Sequence, residues 1–487
     1  MSIPAEAFVL PPPARGSLQQ RIRQMVTEAV VAGRFRAGQR MPSSRGLAAH
    51  LGISRITVTL AYAELVASDY LVARGRSGYF VSDTAPRAPD LPQQAHRAES
   101  ADFARLLRPG PALARIDRPA DWERYAHAFI YGQVDASLFD HQNWRLCAVR
   151  ALGRRDFGAL TQDYYDQDDP LLVEQLLQTI LPRRGIVAGP DEVLLTLGAQ
   201  NALWIAVAAL LGPGRRAVVE NPCYPGLRGV LGPSGTGVLA VDVDADGLPP
   251  DAIPPDVDVV FTTASHQCPT NATMPLDRRV ALLEAAARDG FIIVEDDYEF
   301  EMSFLKPVSP ALKSLDAGGR VVYAGSFSKS VFPGMRLGYL VGPPSFIRAA
   351  RDLRMTMLRH PPGHVQRTMA YFLSLGHYDA LIAKMRNAYR KRRQVMADAI
   401  AEHGLSVAGQ GGFGGSSFWM RAPDRVDTQV LAQRLREVDV LIEPGHAFFD
   451  PATVSKTHYR LGYSSIPPSR IAPGIAQIAR AIRMGVG

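Results

Sequence analysis

The sequence predicts an α/β protein in two parts: a small basic helical head, then a large body built on a mostly parallel sheet. Three observations carry that expectation. Residues 17–82 are dense in apolar positions at helical spacing and end in two short strand-like runs. Residues 83–120 are rich in Pro, Ala and Arg and lack long apolar runs, the mark of a semi-extended linker that cannot bury enough surface to fold alone. From about residue 121, the β-branched runs "RAVVENP", "DVVFTTAS", "FIIVEDDYEF", "RVVYAGSFSK" and "MRLGYLVG" alternate with helical segments, the pattern of a buried parallel sheet. The expected boundaries are 15–82 for the head, 83–120 for the linker and 121–487 for the body.

The head comes first in the chain. "SLQQRIRQMVTEAVVAGRF" places Leu18, Ile22, Met25, Val26, Ala29 and Val30 on one helical face. In "MPSSRGLAAHLGISRITVTLAYAELVASDYL", Ser43 can cap a helix carrying Leu47, Ala48 and Leu51, which Gly52 ends. Ser54 caps a second helix that turns Val58, Ala61, Tyr62 and Leu65 inward. Two helices about a glycine turn make a helix-turn-helix, and "YLVARGRSGYFV" adds two short strands as a wing. Arg55, Thr57 and Thr59 point outward on the second helix, where Arg suits guanine edges or phosphates and Thr suits phosphates or a thymine methyl. One arginine there would read as solvated surface. Arg45, Arg55, Arg74 and Arg76, at two helix starts and a wing, make DNA the better partner.

Composition agrees. Of 487 residues, 47% are hydrophobic and 21% charged, ordinary for a soluble protein with large cores, and a net charge of +7 suits an anionic partner. Cys147, Cys223 and Cys268 form no CxxC pair, which argues against a disulfide framework or zinc cluster and fits a reducing cytoplasm. The N-terminal "MSIPAEAFVLPPPARG" has no basic leader, so no signal peptide is expected. "LLTLGAQNALWIAVAALLGPG" is the most apolar stretch, but Gln200 and Asn201 interrupt it, and it reads as strand, turn and helix rather than a membrane span.

The body's chemistry centres on "GSFSKSVF". Lys329 sits beside Ser326 and Ser328, and Arg336 follows a turn at Pro333–Gly334. A lysine amine can hold an aldehyde cofactor, and hydroxyls with a cation can hold that cofactor's phosphate. "FIIVEDDYEF" ends a buried strand in Glu295, Asp296 and Asp297, then Tyr298. Carboxylates there lie where α/β sheets bind ligands, and capping the next helix explains only one of the three. Gly198, Ala199 and Gln200 lie between a strand and a helix, where free N–H groups can cradle phosphate. Tyr224 in "ENPCYPG" follows another strand and can stack on a flat ring.

The head resembles the GntR-type winged helix through "MPSSRGLA", "LGISRITVTLAY" and "RSGYFV". The resemblance implies that Ser44, Arg45, Ser54, Arg55, Thr57, Arg76 and Gly78 meet a double-stranded DNA operator. The body resembles the pyridoxal 5'-phosphate domain of fold-type I aminotransferases, and the whole chain resembles the MocR subfamily of GntR regulators. That likeness implies Lys329 as the Schiff-base lysine, Asp296 as partner of the pyridinium, Tyr298 on the phenolic oxygen and Tyr224 stacked on the ring. It implies Ala199, Gln200, Ser326, Ser328 and Arg336 on the phosphate. Arg460 in "HYRLGYSS" would clasp the anionic group of an amine effector. It further implies a homodimer and a small subdomain from about 366 to 487.

The pattern departs from the family in places. Cys268 stands where an asparagine often touches the phenolic oxygen, and Asn271 where glycine is usual. "YYDQDDPLLVEQ" replaces a glycine-containing loop and its arginine. Pro225 and Gly226 follow Tyr224, so the arginine some amine-sensing relatives place there is missing; whether Arg228 substitutes for it is left open by the sequence.

Other motifs carry less. "GQGGFGG" precedes a strand-like run instead of a helix, which argues against a dinucleotide site. Pro361 and Pro362 deny His360 and His364 the helix that would align them on a metal, so no metal is expected. "RNAYRKRRQVM" reads as the solvated face of a long helix.

Two functions fit. In the first, a cytoplasmic transcription factor senses an amine or amino-acid-like effector, of the GABA, taurine or ectoine-derivative type, through an external aldimine at Lys329. In the second, an aminotransferase carries an appended DNA-binding domain. The completeness of the N-terminal motif favours the regulator, with residual half-transamination still open to it.

Overall fold

The computed structural model describes residues 2–9, 16–86, 105–107, 116, 118–162 and 167–485. It divides into two compact units, Met1–Pro109 and Gly110–Gly487.

In the first unit, α1 (Leu18–Val31) opens with a reciprocal cap: Gln20 N donates to Ser17 Oγ and Ser17 N donates to Gln20 Oε1. Ile22, Val26, Ala29 and Val30 are buried, whereas Leu18, in the first turn, remains exposed. α2 (Ser44–Leu51) is capped by Ser43 and stopped by Gly52 in the left-handed region at φ 64°. α3 (Arg55–Ala67) buries Val58, Ala61, Tyr62 and Leu65, the four positions its period requires. The strands β1 (Leu71–Ala73) and β2 (Tyr79–Val81) pair antiparallel as the wing.

Ile56 N donates to Ser54 Oγ at 3.2 Å, satisfying one of the orphan donors at the start of α3. Ser54→Ala is expected to cost about 1 kcal/mol of head stability. The check is an earlier head transition in denaturant unfolding of the full chain, restored by Ser54→Asp.

The first strand of the second unit is the short β3 (His127–Ala128). Its main sheet contains β4 (Val193–Thr196), β5 (Arg216–Asn221), β6 (Gly237–Asp242), β7 (Val259–Thr262), β8 (Ile292–Asp297), β9 (Val321–Ser326) and β10 (Gly338–Val341), in the spatial order 4-10-9-8-7-5-6. β5 to β9 pair in parallel, while β10 runs antiparallel to both neighbours. Successive side chains alternate between faces. Val219, Phe261, Val294 and Ala324 pack in one core with Ala202, Leu203 and Ala206 of the helix Ala199–Leu210. Val218, Val260, Ile293 and Val321 pack in another with Leu282, Ala285 and Ala286 of the helix Leu276–Asp289. Burial on both faces explains why these strands read as continuous apolar runs. The carboxyl ends of β8 and β9 lie side by side, and that edge carries the site.

A second sheet joins β11 (Ser406–Val407), β12 (Ser417–Arg421), β14 (Glu443–Pro444) and β15 (His458–Gly462), in the order 11-12-15-14. β13 (Val440–Leu441) pairs in parallel with β3, so the subdomain expected from about 366 also draws on residues 127–128. Ile116 and Arg118, at the tail of the expected linker, likewise belong to this unit.

The basic run 386–396 is the expected solvated face only in part: Asn387, Arg390, Lys391 and Gln394 are exposed, while other side chains turn inward. Within the helix His377–Glu402, Arg392 is buried, pairing with Asp135 and donating to the Ser464 carbonyl. Arg386 and Arg390 donate to the carbonyls of Glu301 and Phe304, and Arg393 to those of Gly411 and Gly414. These guanidinia satisfy carbonyls that lie outside regular ladders. No helix among the described residues is long and apolar enough to cross a membrane, and no group of three or more metal-ligating side chains occurs there.

Candidate functional site

Lys329 follows the end of β9, and its Nζ lies 4.5 Å from the centre of the Tyr131 ring. Burial pushes its pKa down to about 8, against the attraction of Glu299. Tyr131 is steered by a hydrogen bond from its hydroxyl to Glu299 Oε2 at 3.2 Å. The next residue is glycine for a steric reason. Gly132 has φ 79°, and a Cβ there would meet Lys329 Nζ at 2.2 Å.

The three carboxylates ending β8 do different work. Glu295 accepts from the backbone N–H groups of Leu312 and Lys313, capping the helix that starts there. Asp297 accepts from Arg184 Nε at 2.6 Å and from the Tyr323 hydroxyl at 2.8 Å. Asp296 faces the cavity, and its buried Oδ1 has no hydrogen-bond partner. Burial, then the neighbouring Asp297 and Glu220, push the Asp296 pKa up to about 7. A lone carboxylate oxygen in that setting lacks a cationic partner, and a protonated ring nitrogen is such a partner.

Opposite lies a cradle for an anion. Gly198 at φ 78° starts the helix Ala199–Leu210 and exposes its first N–H groups. Arg336 holds left-handed backbone at φ 50° and donates from Nη2 to the Leu197 carbonyl at 3.0 Å. A Cβ on Gly198 would come within 3.1 Å of that guanidinium. Ser328 N donates to Ser326 Oγ, while Ser328 Oγ is buried without a partner. The Tyr224 hydroxyl donates to Gln200 Oε1 at 3.0 Å, and the Tyr298 hydroxyl to the His266 carbonyl at 2.9 Å.

Lys329, Asp296, Tyr298, Tyr224, Ala199, Gln200, Ser326, Ser328, Arg336, Cys268 and Arg460 thus line one cavity of about 430 Å³. An unpaired carboxylate oxygen, an unpaired hydroxyl, a basic anion cradle and a lysine of lowered pKa suit a phosphorylated pyridine aldehyde. Two departures find their reasons. Asn271 has φ 59°, a conformation Asn tolerates better than most side chains, and its Nδ2 donates to the Ser417 carbonyl at 2.7 Å. Cys268 is packed against Trp419 and Phe448, and burial raises its pKa to about 12, so it presents a neutral thiol.

Arg228 does not take the place of the arginine missing after Tyr224. It pairs with Asp450 at 2.9 Å and does not line the cavity. In "YYDQDDPLLVEQ", residues 164–166 lie outside the described residues. Asp168 accepts from Arg351 and Arg354, and Asp169 caps the helix Pro170–Gln175.

Sequence reasoning missed Tyr131, Gly132, Glu299 and Arg118, of which only Gly132 carried a local signal, a glycine after an aromatic. It also missed Arg184 and Glu220, which touch Asp297 and the loop before Cys268 from far along the chain.

On the head, Arg45 and Arg55 are exposed at the starts of α2 and α3, and Ser44 and Thr57 are half-buried beside them. Ser54 is committed to its capping bond, and Thr59 Oγ1 donates to the Arg55 carbonyl. Gly78 turns the wing at φ 98°; the side chain of Arg76 lies outside the described residues. Ile56 and Leu60, one turn apart on α3, are exposed and add an apolar patch beside Arg55.

Residues 18–81 match the model of the bacterial regulatory proteins of the gntR family, and residues 137–476 that of aminotransferase class I and II. The chain is 64% identical to the HTH-type transcriptional regulator TauR of Rhodobacter capsulatus, over 99% of this chain and 100% of that one. It is 28% identical to the probable rhizopine catabolism regulatory protein MocR of Rhizobium meliloti, over 79% and 78% of the two chains. Among solved structures, a kynurenine aminotransferase of Pyrococcus horikoshii matches with a TM-score of 0.69 at 26% identity, covering 81% of this chain and 97% of that one.

Proposed function

The chain belongs to the GntR-family transcriptional regulators that carry a class I and II aminotransferase domain, and on that premise we propose that its second unit binds pyridoxal 5'-phosphate and senses an amine with an anionic head. The observation that carries this reading is the convergence of Lys329 Nζ and the unpaired Asp296 Oδ1 on one cavity.

When bound, the cofactor supplies an aldehyde carbon at which an amine can take the place of the lysine nitrogen. The protein's own residues do the rest. Lys329, with its pKa near 8, presents a substantial neutral fraction at physiological pH. Asp296 gives the ring nitrogen its counter-charge, and Tyr224 and Tyr298 bound the ring. The N–H groups at Ala199 and Gln200, with Ser326, Ser328 and Arg336, hold the phosphate. Arg460, 4% exposed with its guanidinium 4.0 Å from the Tyr131 ring centre, faces the effector's anionic head. A head of that kind favours the taurine and GABA types over a diamine.

The regulator acts as a cytoplasmic homodimer whose two winged helices meet repeated or inverted half-sites of a DNA operator. Occupancy can alter DNA binding only by favouring one arrangement of the protein over another. The test titrates the cofactor-loaded protein, bound to DNA selected from a random pool, with amines bearing sulfonate or carboxylate heads. The DNA band and the visible absorbance are expected to change together. A band indifferent to cofactor and amines alike would remove the reading, and many turnovers with amine and keto acids would restore the aminotransferase alternative. On the same DNA, Arg55→Ala is expected to cost about 1–3 kcal/mol of specific affinity, measured by fluorescence anisotropy.

A further inference from the structure

Between the cavity and the second sheet lies a buried carboxylate held by two guanidinia. Glu443 on β14 stands opposite Arg460 on β15 in the strand register. Its Oε2 accepts from Arg460 Nε at 2.8 Å and lies 2.8 Å from Arg460 Nη2 in the same ion pair. Its Oε1 accepts from Arg118 Nη2 at 2.7 Å, and the same Nη2 reaches the Tyr131 carbonyl at 2.8 Å. Arg118 and Arg460 both line the cavity that holds Lys329.

We infer that Arg118 is a second effector-binding residue, which with Arg460 grips the anionic head of the amine. The inference rests on the sensing role proposed above and extends it to a residue outside the aminotransferase match, which begins at 137.

Charge is the first reason. Two guanidinia share one carboxylate, so the cluster keeps a net positive charge beside Lys329. Both arginines also act to lower the Lys329 pKa, which places them within electrostatic reach of the reacting amine. A cationic cluster at the wall of a cavity is stabilised by an anion from solution. Donor supply is the second reason. Arg118 Nε is buried and has no hydrogen-bond partner, and its side chain is 28% exposed, so it stands at the rim with donor capacity to spare. Glu443, 1% exposed, fixes both forks in advance, so little side-chain freedom remains to be lost when a ligand arrives.

Position is the third reason. Ile116 packs against Cys268, Trp419 and Phe448, and Arg118 follows two residues later, on the stretch leading from the DNA-binding head.

The test uses the full chain loaded with cofactor, unsubstituted and as Arg118→Gln and Arg118→Lys. Each is titrated with 2-aminoethanesulfonate, with 4-aminobutanoate, and with ethylamine, which lacks the anionic head, following visible absorbance and DNA affinity. The cofactor band of each variant reports an intact pocket. Arg118→Gln is expected to weaken the response to the better anionic amine by about tenfold to a hundredfold, the scale of a lost charge-assisted contact, while ethylamine titrates alike in all three proteins. Arg118→Lys falls between, because it keeps the charge and loses the fork. Equal weakening for ethylamine would assign Arg118 a merely structural role and overturn the inference. So would unaltered titration by the anionic amines. Silence of the unsubstituted protein toward all three amines is a different result, which would sink the sensing role itself and this inference with it.

Discussion

Lys329→Ala is expected to abolish the covalent hold on the cofactor and, with it, the DNA response to amines. Protein saturated with cofactor and treated with borohydride should carry a stable adduct at residue 329, and the variant should carry none by peptide mass analysis. The cradle at Ala199, Gln200, Ser326, Ser328 and Arg336 is untouched, so the variant should still retain cofactor non-covalently. The unsubstituted protein has its own pH signature. Only the neutral amine attacks an aldehyde, and burial brings the Lys329 pKa to about 8 from the usual 10.4 or so. Cofactor capture by the apoprotein should therefore accelerate up to about pH 8 and level off above it. A rate still climbing at pH 10 would show an ordinary exposed amine.

The second large effect concerns Arg184, which touches nothing in the cavity. Its Nε bonds Asp297 at 2.6 Å, its Nη2 bonds Ser265 Oγ at 2.7 Å, and its Nη1 reaches the Ser309 carbonyl. Both partners of the ion pair are fully buried. Arg184→Met leaves the Asp297 carboxylate buried without its cation, at a cost of about 3–5 kcal/mol. Unfolding of the second unit should shift to lower denaturant by that amount. The unpaired Asp297 also acts more strongly on its neighbour, so the Asp296 pKa should rise further above about 7 and cofactor affinity should fall. Arg184→Met combined with Asp297→Leu removes both charges and should recover much of the stability. A single variant as stable as the parent would show that the pair contributes little.

How legible the molecule was depended on sequence distance. The helices of the head could be read almost residue by residue, since the caps Ser17, Ser43 and Ser54 and the inward period of α3 are local features. The residues around Lys329 that line the cavity were legible because most fall at a strand end or turn, where a short motif carries its own geometry. The basic run 386–396 was half legible: Arg390 and Lys391 are exposed as expected, but Arg386 and Arg392 bond distant carbonyls, and such arginines look the same in sequence as those that face water. Arg118 was hidden for a related reason: Pro and Arg nearby gave it the texture of a linker, and its partner Glu443 lies 325 residues away.

Periodicity, capping residues and strand-end motifs act over a few residues, and from them the sequence alone determined the winged helix, the α/β body and the lysine-centred pocket. Tertiary structure decided how the three carboxylates of β8 divide their work, that Tyr131 and Gly132 shape the space around Lys329, and that Glu443 joins Arg118 to Arg460. The reason is that a buried charge takes its role from the partner that folding brings to it, and no local pattern encodes that partner.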